Sequence, residues 1–291
     1  MASLLSLPTE LRLHIFSQVF SMNAPHISSD EDLPNESLER IRHQKDTDTR
    51  FIANARPHTL FIRNLDPLVF RTIATLTWPC WRTVYEVRCD RFRARVLDTT
   101  YQCMNLNSFG GDIRLLLVNH QLHVEAARLF YGGYTFDFDT HIEAIVPFFA
   151  DITPFSRSCI RSIALTKRAL PYDKEYDRCE WSNTMHYLSN PQHGIALQCI
   201  HLDIIAGKPG EHGWDDVSPF VFADFHVLVH TYSMSWLKDL IKIKAAEVNI
   251  RAIVEHCPPA SSSDAMADYI RFSASIDDGL TAFVKSAMSP S

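Results

Sequence analysis

The sequence has no Cys-x-x-Cys pair: its seven cysteines fall at positions 80, 89, 103, 159, 179, 199 and 257. An odd count at wide spacing argues against a disulfide framework and a cysteine-rich zinc site, and fits free thiols in a reducing compartment. An excess of basic residues is missing as well. Lys and Arg number 28 against 34 Asp and Glu, a net charge of −6, which speaks against a nucleic-acid or anionic-membrane surface. Long apolar runs are also lacking. Residues 1–7 carry no basic residue, and Glu10 and Arg12 break the apolar run before it grows long, so no secretory leader is expected. The most apolar later stretch, Val217 to Leu237, contains Asp224, His226 and His230 and would span a bilayer badly. The expected location is the cytosol or the nucleus. There is no Gly-x-Ser-x-Gly elbow, phosphate loop or Gly-x-Gly-x-x-Gly fingerprint. The evenly spaced Gly207, Gly210 and Gly213 sit in a Pro- and Asp-bearing loop, not a phosphate cradle.

What is present is an ordinary globular balance, 46% hydrophobic and 21% charged over 291 residues. That suffices for a buried core in one large domain or two modest ones. Residues 7–20, LPTELRLHIFSQVF, predict a short amphipathic helix. Pro8 suits its first turn, Glu10 complements the dipole there, and Leu11, Ile15, Phe16, Val19 and Phe20 share one face. Residues 21–50, with Pro25, the acidic run 28–32 and Pro34, read as a loop or weakly ordered insertion. Helical character is expected around Pro67 to Leu76. Residues 82–97 alternate, with Arg91, Arg93 and Arg95 on one side and Phe92, Ala94 and Val96 on the other, which predicts a half-buried strand.

Asp112, as N-cap, and Gly132-Gly133 bracket a second helix with a stripe of Leu115, Val118, Leu122, Ala126 and Leu129. A strand, Tyr134 to Phe138, comes next. Ile160-x-x-Ile163-x-Leu165 returns 37 positions later as Leu197-x-x-Ile200-x-Leu202, and Leu237-x-x-Leu240-x-x-Ile243 is a looser third copy. Helical segments, among them 179–188, lie between. Strands returning at such an interval suggest a parallel, leucine-rich-repeat-like stack. Residues 207–218 and 257–263 read as loops, and 264–288 as a closing amphipathic helix.

Several side chains invite a chemical reading. His226 and His230 have the His-x-x-x-His spacing that puts two imidazoles on one helix face, but no Glu follows His226 and Phe220 to Thr231 reads equally well as a strand. His201-Leu-Asp203 has the spacing of two ligands of a facial iron triad, which His226 or His230 could complete. The alternation of LQCIHLDII already explains both residues as strand positions, so neither a metal nor a cofactor is expected. His120 and His123 flank the stripe of the second helix. Arg82, Arg88, Arg91, Arg93 and Arg95, interleaved with Tyr85 and Phe92, form the only basic cluster. Glu86 and Asp90 dilute it, and a solvated strand face accounts for it.

The segment Leu4-Leu-Ser-Leu7-Pro8-Thr-Glu10-Leu11-Arg-Leu-His-Ile15-Phe16 resembles the opening of an F-box, a Leu-Pro-x-Glu-Leu signature leading into an apolar helix. Leu115-Leu-Leu-Val118-Asn119-His120-Gln121-Leu122 resembles the module's second half. The run through Glu125-Ala-Ala-Arg128-Leu129-Phe130-Tyr131 and Tyr134-Thr-Phe136 is similar to a group of fungal F-box-like proteins. Residues 21–111 separate the two halves, Asn119-His120 stands where Cys-Arg is usual, and Leu122 where tryptophan is common. The resemblance implies an α+β or α/β chain. Its F-box-like helical module would comprise 1–20 and 112–132, with 21–111 as an insertion, followed by an α/β, leucine-rich-repeat-like domain over 133–291. It implies a non-enzymatic, substrate-recruiting adaptor of a cullin-type ubiquitin ligase. Leu7, Pro8, Leu11, Ile15 and Phe16 would dock a Skp-type linker and the later domain an unknown protein target. A scaffold that has lost ligase docking and a metal-dependent enzyme using His201, Asp203 and His226 are the alternatives. Two readings of the first helix stand at this point: its stripe is open to a partner, or it packs on helix 112–131.

Overall fold

A computed structural model describes residues 4–21, 58–65, 80–88, 93–103, 113–169, 174–209 and 217–290. Among these residues, nine α-helices and seven strands run in chain order as α1 (Thr9–Ser21), β1 (Thr59–Leu65), β2 (Cys80–Arg88), β3 (Ala94–Cys103), α2 (His120–Gly133), β4 (Thr135–Asp137), α3 (Ile145–Asp151), α4 (Pro154–Cys159), β5 (Ser162–Arg168), α5 (Glu175–Ser189), β6 (Cys199–Pro209), α6 (Phe222–Leu228), α7 (Ser235–Leu240), β7 (Glu247–Cys257), α8 (Asp264–Ala274) and α9 (Thr281–Met288). The strands form one sheet in the order β2-β3-β1-β4-β5-β6-β7. From β1 to β7 each strand runs parallel to the next, while β3 and β2 extend the sheet antiparallel beyond β1. The fold is α/β around a five-stranded parallel ladder, and β4 to β7 lie side by side in chain order.

The 37-residue repeat is the register of that ladder. Ile163 lies opposite Ile200 and Leu165 opposite Leu202. The third copy is not where the leucine pattern put it, because Leu237 and Leu240 sit on helix α7. The next strand is β7, in which Val248 and Ile250 oppose Ile200 and Leu202. Ala245, Val248 and Ile250 therefore carry the spacing of Leu197, Ile200 and Leu202. An alanine in the first place hid the match, and a three-residue leucine spacing suits a helix as well as a repeat.

Strand alternation separates two faces. Leu60, Phe136, Ile163, Ile200 and Val248 form one lateral row. They belong to a single buried cluster that runs from Phe16 to Met288 and takes in Leu122 and Phe130 of α2, Phe149 of α3, Trp181 and Met185 of α5, and Phe272 of α8. Trp181 Nε1 donates to the carbonyl of Trp236 at 3.0 Å and the two rings meet edge to face, tying α5 to α7. The other face carries Thr59, Thr135, Ser162, Cys199 and Glu247 in one row and Phe61, Asp137, Ala164, His201 and Asn249 in the next.

Several local expectations change. The strand expected over 82–97 is two antiparallel strands, with Arg88 opposite Ala94; alternation persists in both arms, so period alone does not reveal the reversal. The second helix starts at His120, not Asp112, after a 3-10 turn at Ile113–Leu117. Gly207 to Pro209 are the end of β6, paired with Glu255 to Cys257, not loop. Phe222 to Leu228 is helix, so the strand alternative for Phe220 to Thr231 falls. The closing helix is α8 and α9 joined by a π turn at Ile276–Leu280. A Cβ on Gly279 would lie 2.5 Å from the Phe220 carbonyl oxygen, so this junction needs a glycine. The expected helix at Pro67 to Leu76 and the acidic loop 28–32 lie outside the described residues. Among the described residues no helix is long and apolar enough to cross a membrane.

Candidate functional site

Helix α1 begins where the Pro8 carbonyl accepts the Arg12 amide at 3.1 Å, so Pro8 holds the N-cap place, where its missing N–H costs nothing. One face of the helix is anchored. Phe16 is 0% exposed, and Phe20, also in the core, packs on Phe130 with ring centroids 5.5 Å apart. The Tyr134 hydroxyl donates to the Phe20 carbonyl at the helix end. Arg12, also buried, donates from Nε to Glu125 Oε2 at 2.8 Å and from Nη2 to Oε1 at 2.6 Å. Its remaining donors reach the Leu7 carbonyl at 2.5 Å and Thr9 Oγ1 at 3.0 Å. This fork clamps α1 onto α2. The hydrogen bonds from Arg12 hold the Glu125 carboxyl below its usual range, and the same pairing raises the Arg12 guanidinium further.

The apolar positions of α1 consequently divide. Phe16 and Phe20 face the core with Arg12, whereas Leu11 is 51% and Ile15 36% exposed. Leu7 is half-buried and Pro8 exposed. Of the five residues expected at a docking face, Leu11, Ile15 and Pro8 are at the surface and Phe16 is behind them in the core. Arg12 was not singled out from sequence. Its signal is positional, one arginine four residues before the buried Phe16, with Glu125 on the helix that closes against it.

The stretch 115–122, read as the second half of the module, straddles a break. Asn119 caps α2, its Oδ1 accepting the Leu122 amide at 2.9 Å. Leu122 is buried, whereas Leu117 and Val118, in the turn before the cap, are 83% and 58% exposed. His123 Nδ1 lies 2.8 Å from the Leu116 carbonyl, which folds that turn back over α2, while His120 is exposed.

The residues of the metal alternative lie on β6, on α6 and beyond that helix. Both oxygens of Asp203 accept from Arg251, at 3.0 and 2.6 Å. His201 Nε2 lies 3.3 Å from Cys199 Sγ on the same strand. His226 is on α6, its ring edge-on to Phe222 and Phe283, and His230 lies exposed beyond that helix. Among the described residues, no three His, Cys, Asp or Glu side chains group as metal ligands. In the basic cluster, Arg93 is paired with Glu175 of α5 at 2.7 Å; Arg91 lies outside the described residues.

Comparison with protein-family models, curated proteins and solved structures finds no match to this chain.

Proposed function

We propose that the chain is a non-catalytic, F-box-like adaptor that recruits substrates to a cullin-type ubiquitin ligase. In this reading Leu11 and Ile15, flanked by Leu7 and Pro8, enter an apolar groove of a Skp-type linker, a helix-in-groove contact. Phe16 contributes from behind, holding the helix at its angle. The observation that carries the reading is the outward placement of two large apolar side chains on a helix whose opposite face is fixed by Phe16, Phe20 and the Arg12–Glu125 fork. A rigid helix presents such residues at little ordering cost. The in-register pairs Ile200/Val248 and Leu202/Ile250 support a leucine-rich-repeat-like stack over residues 133–291, which would hold the protein target.

The test is assembly. The purified chain, mixed with a Skp-type linker and its cullin, should co-elute with both in size-exclusion chromatography. A folded chain that elutes apart from the linker would sink the adaptor reading. It would favour the scaffold, for which Asn119 is a specific motive: it stands where the module usually has cysteine and is engaged as the α2 cap.

A further inference from the structure

The face of the sheet opposite the core brings a thiol, an imidazole and a carboxamide together. Cys199 and His201 are two apart on β6 and share that face, with Cys199 Sγ 3.3 Å from His201 Nε2. Asn249, opposite His201 on β7, donates from Nδ2 to the same sulfur at 3.6 Å. Both Cys199 and His201 are half-buried, whereas Cys103, Cys159 and Cys257 are buried. Asp203 is neutralised by Arg251, and Glu247, exposed and opposite Cys199, accepts from Asn249 Nδ2 at 2.7 Å.

We propose that Cys199 is an activated nucleophilic thiol and a site of mixed-disulfide formation with low-molecular-weight disulfides. A thiol becomes nucleophilic when a neighbouring base takes its proton and a donor steadies the sulfur anion. His201 is that base and Asn249 that donor. The Cys199 proton passes to His201 Nε2, and the sulfur attacks one sulfur of the incoming disulfide. The S–S bond breaks, a new S–S bond joins Cys199 to half of the reagent, and the departing thiolate collects the proton from His201. One thiol and one disulfide give one mixed disulfide and one thiol, so no outside oxidant is needed. The proposal is independent of the adaptor reading. If that reading also holds, the adduct would lie on the non-core face of the repeat stack.

The test is the reaction of the full-length chain with the neutral disulfide 4,4′-dithiodipyridine at neutral pH, each cysteine followed by peptide mass spectrometry. The reference is Cys179 on α5, which is also half-buried. Cys199 should react about tenfold faster than Cys179, the order expected when a neighbour raises a thiolate fraction of a few per cent. His201→Gln should remove most of that excess and leave the Cys179 rate unchanged. An arm without a variant guards against misfolding: in guanidinium the wild-type Cys199 to Cys179 ratio should collapse to about one. A native ratio near one, a ratio unchanged in folded His201→Gln, or a ratio that survives unfolding would each overturn the assignment.

Discussion

Arg12 and Glu125, 113 positions apart, meet as a two-pronged pair, with Nε 2.8 Å from Oε2 and Nη2 2.6 Å from Oε1. Together with buried Phe16 and Phe20, this pair fixes the inner face of α1 and leaves Leu11 and Ile15 outward.

The pair carries a pH signature. Hydrogen bonds from Arg12 hold the Glu125 carboxyl below its ordinary value of 4.5. A depressed carboxyl contributes stability that is present above that ordinary value and lost as pH falls through the lower, folded-state value. Thermal unfolding midpoints measured downward from pH 7 should therefore fall below about pH 4.5 in the wild type. Glu125→Gln should be less stable than wild type at neutral pH, and the gap should narrow in acid. A gap that stays constant with pH contradicts the role given to the pair.

Phe16 and the outward pair should separate cleanly in denaturant. Phe16→Ala empties a fully buried site and is expected to cost about 3–5 kcal/mol. The double variant Leu11→Asp, Ile15→Asp should stay within about 1 kcal/mol of wild type, as exposed substitutions do. Urea midpoints at unchanged slope give both values, and a large loss in the double variant would place those side chains in the core.

This division marks how far the sequence is legible. The helical period showed that Leu11, Ile15, Phe16, Val19 and Phe20 cluster, and α1 forms where it was expected. Which part of that arc faces inward depends on Arg12 finding Glu125, a long-range pairing that no local pattern encodes. The parallel ladder was readable in Ile163/Leu165 and Ile200/Leu202, whose spacing is the strand register itself. Its next member was not, because Ala245 is too small to announce a core position while Leu237 and Leu240 of α7 imitate one. The thiol–imidazole contact was half-visible, since Cys199-x-His201 puts both on one strand face, but Asn249 enters only through β7.

Asn119 fixes where α2 starts. Asn119→Ala removes the acceptor for the Leu122 amide and should cost about 1 kcal/mol. An unchanged unfolding midpoint in Asn119→Ala would contradict the helix start at His120.

Two glycines should respond differently to an added Cβ. A Cβ on Gly207 would lie 2.4 Å from Tyr269 Cε1 and 2.7 Å from Cys257 Sγ, both on buried side chains. Gly207→Ala should thus cost about 1–3 kcal/mol. Gly133, at the end of α2, has nothing within 4 Å of such an atom. Gly133→Ala should be neutral or stabilise by up to about 1 kcal/mol through the unfolded chain. Chemical denaturation of the two variants side by side checks the close approach of α8 to β6.

The most direct test of the central claim is a calorimetric titration of a purified Skp-type linker into three folded proteins: wild type, Leu11→Asp with Ile15→Asp, and a control altered at Val227, an exposed position on α6. Wild type and the α6 control should bind saturably, and the double variant should not bind. Equal binding by all three proteins would show that α1 is not the docking helix, and no binding by the wild type would contradict the adaptor function itself.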